Sequence, residues 1–131
     1  VRGVVSLVRP DRVIAVDALS AREAARLCRA VQVTNAGIVP GSGVGNARSA
    51  LTEETLGVPV VAVGVPTVVD ARTLCADLSG TEIDLPENTE LFVTPRDIDT
   101  RVRDSARLVG YAIDLALHDA LTIEDIDMFL A

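Results

Sequence analysis

The sequence contains no lysine and no tryptophan, and Phe92, Tyr111 and Phe129 are the only aromatic side chains among its 131 residues. With so few rings, base stacking on an aromatic platform is excluded as a binding mode. All 12 basic residues are arginines, and 19 acidic residues outnumber them, so the formal net charge is −7. A charge of this sign repels phosphate backbones and anionic lipid, which argues against direct binding of nucleic acid or of a membrane surface.

Long apolar runs and clustered metal ligands are also missing. The longest apolar stretch, Val58–Val69, is interrupted by prolines and a glycine and is far shorter than the ~20 residues of a membrane-spanning helix. Cys28 and Cys75 are far apart in the sequence, match no metal-ligand spacing and are expected to be buried thiols. We therefore predict no metal and no other cofactor, and we expect a soluble, intracellular protein. Because the chain begins with Val1 rather than Met, we also expect sequence upstream of it.

Hydrophobic residues make up 49% of the chain, and their spacing alternates between strand-like runs and helical periods. The predicted strands are Val13–Val16, Val31–Asn35, Val58–Val65, which Pro66-Thr67 ends, and Leu91–Val93. The predicted helices are a stretch ending at Val8, a helix starting at Ser20, Thr52–Leu56, Val68–Leu78, a long helix from Thr94 to about His118, and a terminal helix from Thr122, with a polar, acidic loop at 81–90. Strands that alternate with helices predict a single α/β domain over residues 1–131 with a mainly parallel sheet.

Candidate chemistry lies where the predicted strands end, because those ends line the crevice of an open α/β sheet. Asp17 follows the first strand, and Asp70 follows the turn after Pro66. An aspartate in such a position is either a helix cap or a reactive carboxylate. Ser20 already fits the capping position, which favours a chemical role for Asp17, whereas Asp70 fits the first turn of the next helix.

A glycine-rich loop follows the second predicted strand, and its candidate residues are Gly41, Ser42, Gly43, Gly45 and Asn46. Glycines at this density permit positive φ angles and the close approach of another backbone. The spacing matches neither G-x-G-x-x-G nor G-x-x-x-x-G-K-[ST], and no lysine is present to reach a phosphate. We interpret the loop as a shaped turn beside a peptide groove rather than as a nucleotide site.

The single histidine, His118, falls near the end of the long predicted helix. An imidazolium there interacts favourably with the helix dipole, which makes a structural role the simpler interpretation. His118 remains a secondary candidate for catalysis, as does Asp70.

Three ordered segments carry longer motifs. Arg9–Arg22 reads RPDRVIAVDALSAR, and Gly37–Asn46 reads GIVPGSGVGN. Glu54–Ala71 reads ETLGVPVVAVGVPTVVDA, and shorter motifs follow at Val93-Thr94-Pro95 and Ala116-Leu117-His118. In this order and spacing, the segments resemble the germination protease family of spore-forming bacteria over almost the whole chain.

The resemblance implies an aspartic-type endopeptidase that degrades small acid-soluble spore proteins during germination. It also implies a zymogen, a homotetramer in the cytoplasm of the spore core, and a three-layer fold similar to that of hydrogenase maturation peptidases (phosphorylase/hydrolase-like). One of the family's two catalytic aspartates lies in the motif I-A-x-D-A-L, which maps onto Asp17. The other lies upstream in a motif resembling W-N-x-T-P-D-A-L-G, which this chain does not contain. We therefore expect the chain to be the C-terminal portion of a larger protease, with the N-terminal part missing.

Family substrates carry a glutamate before the cleaved bond, so Arg22 or Arg48 is a candidate partner for that side chain, near the groove at the glycine-rich loop. A carboxylate pair needs one ionised and one protonated group, and Asp17 supplies only one of them. Two alternatives stay open on these grounds. The chain is a catalytically inactive fragment or relative that serves assembly or binding, or it is a metal-dependent peptidase, because the hydrogenase maturation relatives bind nickel through acidic and imidazole groups. A single histidine without clustered ligands argues against the metal.

Overall fold

The computed structural model describes residues 1–46, 48–81, 84, 86 and 90–130. The chain divides into two compact units, Val1–Arg96 and Asp97–Ala131. The acidic loop predicted at 81–90 lies mostly outside the described residues. The elements of the first unit are α1 (Arg2–Val8), β1 (Val13–Ala21), β2 (Gln32–Thr34), α2 (Glu53–Leu56), β3 (Val60–Asp70), α3 (Ala71–Ser79) and β4 (Phe92–Val93), with 3-10 turns at Ala24–Arg26 and Ser42–Val44.

The sheet is built around β3, which pairs with β1 on one side and with β2 on the other, while β4 pairs with the last residues of β3. Val60, Ala62 and Val69 of β3 are almost fully buried. The α/β class is therefore confirmed, but the expectation of a mainly parallel sheet is wrong. Only the β1–β3 pair is parallel, whereas β2 and β4 both run antiparallel to β3, so the sheet is mixed.

The mixed sheet follows from a helix that does not form. The capping pattern at Ser20 predicts a helix there, but β1 continues to Ala21 and pairs with β3 as far as Val69. A single 3-10 turn at Ala24–Arg26 follows instead. Because a parallel connection requires a crossover of a dozen or more residues, usually helical, this short link brings β2 back antiparallel. Long-range strand pairing has overridden the local helix signal.

Strand β3 is also longer than predicted, because it passes through Pro66 and ends at Asp70. Proline cannot donate a hydrogen bond and is normally excluded from a central strand. Pro66 is tolerated because it pairs only with Leu19 of β1, while among the described residues the other side of β3 has no strand partner at this position. β2 pairs only with residues 62–64, β4 pairs only with residues 69–70, and the β1 ladder has its irregularity just beyond Pro66, between Leu19 and Ser20.

The short helices agree better with the elements predicted from the sequence. Thr52 caps α2 through a reciprocal pair of hydrogen bonds with Thr55, and Gly57 ends the helix with φ at +74°. Gly80 closes α3 in the same left-handed conformation. Cys28 and Cys75, which were expected to be buried, are only half-buried.

The second unit consists of α4 (Ile98–Leu117) and α5 (Ile123–Leu130). The helix predicted from Thr94 begins only at Ile98, because the Thr94 hydroxyl donates to the Thr67 carbonyl oxygen at 2.8 Å instead of capping a helix. Asp97 accepts a hydrogen bond from Arg101 at 2.8 Å, which lowers the pKa of its carboxyl. Among the helices in the described part of the chain, none combines the length and apolarity needed to cross a membrane.

Helix α5 starts where the sequence predicts. The Thr122 backbone N–H and hydroxyl donate to Asp125 Oδ2 at 2.9 and 2.8 Å, and the Asp125 N–H donates to the Thr122 hydroxyl at 3.2 Å. The bonds from Thr122, the backbone one foremost, lower the pKa of the Asp125 carboxyl. The Tyr111 hydroxyl of α4 donates to Asp127 of α5 at 2.5 Å, which raises the pKa of Tyr111 and joins the two helices.

Candidate functional site

A cleft of about 580 Å³ opens beside β1 in the first unit. Three segments line most of it: β1 from Asp17 onward, the stretch from Arg22 to Arg26 that follows β1, and the glycine-rich loop from Gly41 to Val44. Gln32 of β2, Pro66 of β3 and Val39 complete the lining. The cleft therefore draws on several parts of the sheet and on the two irregular segments next to it.

Asp17 lies in the middle of β1 rather than at its end, because the strand continues to Ala21. It pairs in register with Gly64 of β3, which in turn pairs with Gln32 of β2. Residues paired across a sheet project to the same face, so Asp17 and Gln32 face the same side of the sheet, separated by a glycine. A Cβ at Gly64 would lie 2.3 Å from the Leu19 side chain. The missing side chain therefore makes room for Leu19 to pack next to Asp17.

The Asp17 carboxylate is half-buried and accepts a hydrogen bond at Oδ1 from the neighbouring Ala18 N–H, at 3.0 Å. A carboxylate has about four acceptor positions on its two oxygens. Among the described residues, no arginine forms an ion pair with Asp17. Asp17 is thus able to accept further hydrogen bonds from a molecule in the cleft.

The glycine-rich loop packs directly on β1. Its 3-10 turn places Gly43 so close to Ser20 that a Cβ on Gly43 would lie 2.8 Å from the Ser20 Cβ and 3.2 Å from the Ser20 nitrogen. Gly41 adopts a φ of +76°, and its carbonyl oxygen accepts hydrogen bonds from Val44 and Asn46 at 3.2 and 3.0 Å. These contacts fix the loop against the strand that carries Asp17, which explains the glycines without invoking a phosphate.

Charged side chains line the cleft along the stretch after β1. Arg22, Glu23 and Arg26 all border it, and Arg26 Nε lies 3.4 Å from a carboxylate oxygen of Glu23. Both of these side chains are more than half exposed, so the pair contributes little to stability. Arg22 is exposed and, within the described residues, takes part in no ion pair. It is therefore the arginine in this stretch that is available to an anionic group in the cleft.

Two long-range hydrogen bonds hold this charged stretch in place. Asp77 of α3 accepts a hydrogen bond from the Ala24 N–H at 2.6 Å, and the Cys28 N–H donates to the Pro66 carbonyl oxygen at 2.7 Å. Cys28 adopts a φ of +54°, which is uncommon for a residue other than glycine. The sheet and α3 thus position the stretch that brings Arg22 to the cleft.

The structure brings together five of the residues singled out by sequence: Asp17, Arg22, Gly41, Ser42 and Gly43. The other candidates lie outside the cleft lining. Gly45, Asn46 and Arg48 are exposed residues on the far part of the loop. Asp70 caps α3, because its carboxylate accepts hydrogen bonds from the N–H groups of Arg72 and Thr73 at 2.8 and 3.4 Å. His118 is an exposed residue of the second unit, at the end of α4.

Four polar residues of the cleft are not among the candidates predicted from sequence: Ser20, Glu23, Arg26 and Gln32. The interpretation of Ser20 as a helix cap is an error in secondary structure that hid both Ser20 and the nearby Glu23. Gln32 joins the cleft only through its pairing with Gly64, which no local pattern indicates. The spacing of Glu23 and Arg26 was the one usable signal, because residues three apart pair on a turn.

The donor set of this region is one of carboxylates, amides, hydroxyls and guanidinium groups. Across residues 1–46, 48–81, 84, 86 and 90–130, no group of three or more His, Cys, Asp or Glu side chains is arranged to hold a metal ion. A half-buried carboxylate beside backbone amides and an arginine is suited to binding a polar chain and to exchanging a proton with water.

Comparison with known proteins agrees with this geometry. The family model for germination protease matches residues 1–81. Similar proteins are the germination proteases of Clostridium tetani (36% identity over 99% of this chain and 50% of the relative), Caldanaerobacter subterraneus (38%, 98% and 50%) and Bacillus subtilis (31%, 95% and 51%). The chain belongs to the germination protease family.

The chain spans about half the length of the relatives that it matches. The alignment with the Clostridium tetani protein runs over 162 positions, which is longer than the chain itself. That relative therefore has residues inside the aligned region for which this chain has no counterpart.

Proposed function

We propose that residues 1–131 form the C-terminal portion of a germination protease, an aspartic-type endopeptidase that starts the degradation of small acid-soluble spore proteins. The observation that supports this most directly is the position of Asp17. Its carboxylate borders a cleft of about 580 Å³ that also contains Arg22 and the glycine-rich loop. Membership of the germination protease family agrees with a role in proteolysis during germination.

The proposed chemistry is peptide hydrolysis by two carboxyl groups. One ionised carboxylate removes a proton from the attacking water, while a protonated partner donates a hydrogen bond to the peptide carbonyl. Asp17 is the proposed member of this pair in the present chain. The second is proposed to come from the segment that the resemblance places upstream. We use "complete protease" for this chain together with the polypeptide that supplies the second carboxylate.

The proposal gives the other candidates of the glycine-rich loop and the two arginines the following roles. Gly41, Ser42 and Gly43 hold the substrate backbone, and Arg22 pairs with an acidic substrate side chain. Arg48, Gly45 and Asn46 lie further along the loop and contact only a longer substrate. The zymogen, the homotetramer, the spore-core location and the three-layer fold similar to hydrogenase maturation peptidases belong to the same proposal.

A second candidate function is assembly or binding without catalysis. It is favoured by the ion pair of Glu23, the other acidic residue in the cleft, whose carboxylate oxygen lies 3.4 Å from Arg26 Nε. Glu23 is thus directed to a guanidinium group. The chain on its own therefore holds one suitable carboxylate among the described residues of the cleft, which is enough to bind a peptide but not to hydrolyse it.

Incubation of the chain alone, and of the complete protease, with a peptide containing Glu-Ile-Ala tests the proposal, with products identified by mass spectrometry. We expect no cleavage by the chain alone, cleavage by the complete protease, no lasting effect of a strong chelator, and retained activity in His118→Ala. Cleavage by the chain alone that disappears in Asp17→Asn contradicts the need for a second carboxylate. Chelator inactivation that one metal reverses identifies a metal peptidase instead, and peptide binding without cleavage by the complete protease favours the second candidate.

A further inference from the structure

Gln32 of β2 is a polar residue of the cleft to which the proposed chemistry gives no role. It lines the cleft, is exposed and forms no side-chain hydrogen bond within the described part of the chain. Glu23 and Arg26, by contrast, pair with each other at 3.4 Å. Gln32 therefore presents to the cleft an amide whose donors and acceptor are unused.

The cleft runs from β1 to β2 across β3. These two strands lie on opposite sides of β3, so the segment 22–31 that joins them crosses from one side to the other. Three charged side chains of this segment line the cleft, and the Cys28 N–H donates to the Pro66 carbonyl oxygen at 2.7 Å, which places the crossing beside Pro66. The segment forms one wall of the cleft. A peptide that follows this wall passes from Asp17 to Gln32.

The register of the sheet sets the distance between these two residues. Asp17 and Gln32 both pair with Gly64 and face the same side of the sheet. Neighbouring strands lie about 4.8 Å apart, so the Cα atoms of Asp17 and Gln32 are about 10 Å apart. An extended peptide advances about 3.3 Å per residue. A substrate cleaved at Asp17 therefore brings a peptide group to Gln32 about three residues from the cleaved bond.

The floor between the two residues is apolar. The Leu19 side chain occupies the space that a Cβ at Gly64 would fill, and it lines the cleft. Pro66, also on this floor, has no N–H, and its carbonyl oxygen already accepts the bond from Cys28. The floor thus offers no polar side chain to a peptide between Asp17 and Gln32.

We propose that Gln32 binds the backbone of the substrate by exchanging two hydrogen bonds with one peptide group, about three residues from the cleaved bond. A glutamine amide has N–H donors and a carbonyl acceptor, and a peptide group has one of each, whereas a guanidinium group has donors only. The contact is independent of the substrate side chain at that position, because it is made to the backbone. The proposal rests on the proposed peptidase function, since it adds a contact in the same cleft.

Steady-state kinetics of the complete protease with peptides of different length test this contact. One peptide has at least four residues on each side of the cleaved bond, and two shortened peptides keep only two residues on one side or on the other. Gln32→Met preserves the length of the side chain and removes the amide. It should raise KM for the long peptide about three- to tenfold with little change in kcat, as expected when a binding contact is lost. For one of the shortened peptides, the variant and the unmodified protease should have the same KM.

Thr34→Ala is the matched control. Thr34 lies two residues further along β2 on the same face as Gln32, but outside the cleft lining. Its variant should keep KM for all three peptides within about twofold. Thermal melts check the fold, and Gln32→Ala replaces Gln32→Met if that variant does not fold. An unchanged KM for the long peptide, an equal rise in KM for all three peptides, or a loss confined to kcat would overturn the proposal.

Calorimetry separates this proposal from the peptidase function. If the unmodified complete protease cleaves none of the peptides, the proposed function fails, and the affinity of the chain for the long peptide decides the role of Gln32. Gln32→Met should then raise Kd about three- to tenfold, and Thr34→Ala should leave it unchanged. Equal Kd values in the two variants, or no binding by the unmodified chain, would contradict a backbone contact at Gln32.

Discussion

Asp17 on β1 and Asp70 at the end of β3 are half-buried aspartates on neighbouring strands, yet their carboxylates have different partners. The Asp70 carboxylate accepts hydrogen bonds from two N–H groups of the helix that begins one residue later. The Asp17 carboxylate accepts one from its own neighbour and faces the cleft. The two differ because α3 starts directly after Asp70, whereas β1 continues beyond Asp17. A strand carboxylate is available for chemistry where no helix start requires it.

The largest expected effect is on activity. Asp17→Asn in the complete protease should lower kcat/KM by about a hundredfold or more, since an amide neither removes nor delivers the required proton. The melting temperature should change little, because the amide oxygen of the substituted side chain still accepts the Ala18 N–H. Asp70→Asn is the matched control and should keep activity within a few-fold. Equal losses of activity in the two variants, measured as initial rates, would show that the catalytic role has been assigned to the wrong carboxylate.

A large loss of stability is expected at the glycine that holds the loop on β1. Gly43→Val places its Cβ 2.8 Å from that of Ser20, and overpacking of this kind costs about 1–3 kcal/mol. Gly45→Ala serves as the control, because no atom lies within 4 Å of a Cβ there and the cost is confined to the φ of +69°, about 1 kcal/mol. Denaturant unfolding measures both changes. A Gly43→Val protein as stable as Gly45→Ala would mean that the loop does not depend on close contact with β1.

A smaller effect isolates the structural role of the second aspartate. Asp70→Ala removes both hydrogen bonds at the start of α3 and should cost about 1 kcal/mol of unfolding free energy. Asp70→Asn should recover most of that loss, because asparagine caps helices nearly as well. If Asp70→Ala left stability unchanged and abolished activity in the complete protease, Asp70 would belong to the chemistry rather than to the helix.

The smallest effect depends on pH and lies in the second unit. The Asp125 carboxyl titrates near 3.8 when unfolded, and its hydrogen bonds from Thr122 lower the pKa in the folded chain. The stabilisation is therefore present above pH 3.8 and is lost as the pH falls through the lower folded pKa. Thr122→Val removes the hydroxyl donor and should move the pKa of Asp125 back toward 3.8 in a carboxyl NMR titration. An unchanged pKa would show that the hydroxyl has no influence on it.

The sequence predicts the local elements of this fold better than the long-range ones. The short helix at Thr52–Leu56 and the start of the terminal helix at Thr122 are confirmed, because the contacts that begin each helix lie within three or four residues. The helix expected at Ser20, the strand end expected at Pro66 and the helix start expected at Thr94 are wrong for a shared reason. In each case a contact with a distant residue decides the outcome: Val68 for Ser20, Leu19 for Pro66, and Thr67 for Thr94.

The candidate site shows the same division. Its motif residues Asp17, Gly41 and Gly43 are found at the cleft. Most of its polar surroundings were not predictable. Gln32 reaches the cleft only through the antiparallel return of β2, and the segment that contains Arg26 is held there by the hydrogen bond between Asp77 and Ala24. A sequence pattern marks residues of unusual type, whereas ordinary polar residues become part of a site only through tertiary pairing.

Titration of the isotope-labelled chain with a spore-protein peptide, followed by amide NMR, tests most directly whether the Asp17 cleft binds the substrate. We predict shifts confined to β1 around Asp17, to Arg22, to Gln32 and to Gly41–Val44, with none at Arg72 and Thr73 beside Asp70. Asp17→Asn should leave this binding intact, because the proposed loss is chemical. Shifts that cluster at Arg72 and Thr73, with none at the cleft, would contradict the assignment of Asp17 to the substrate site.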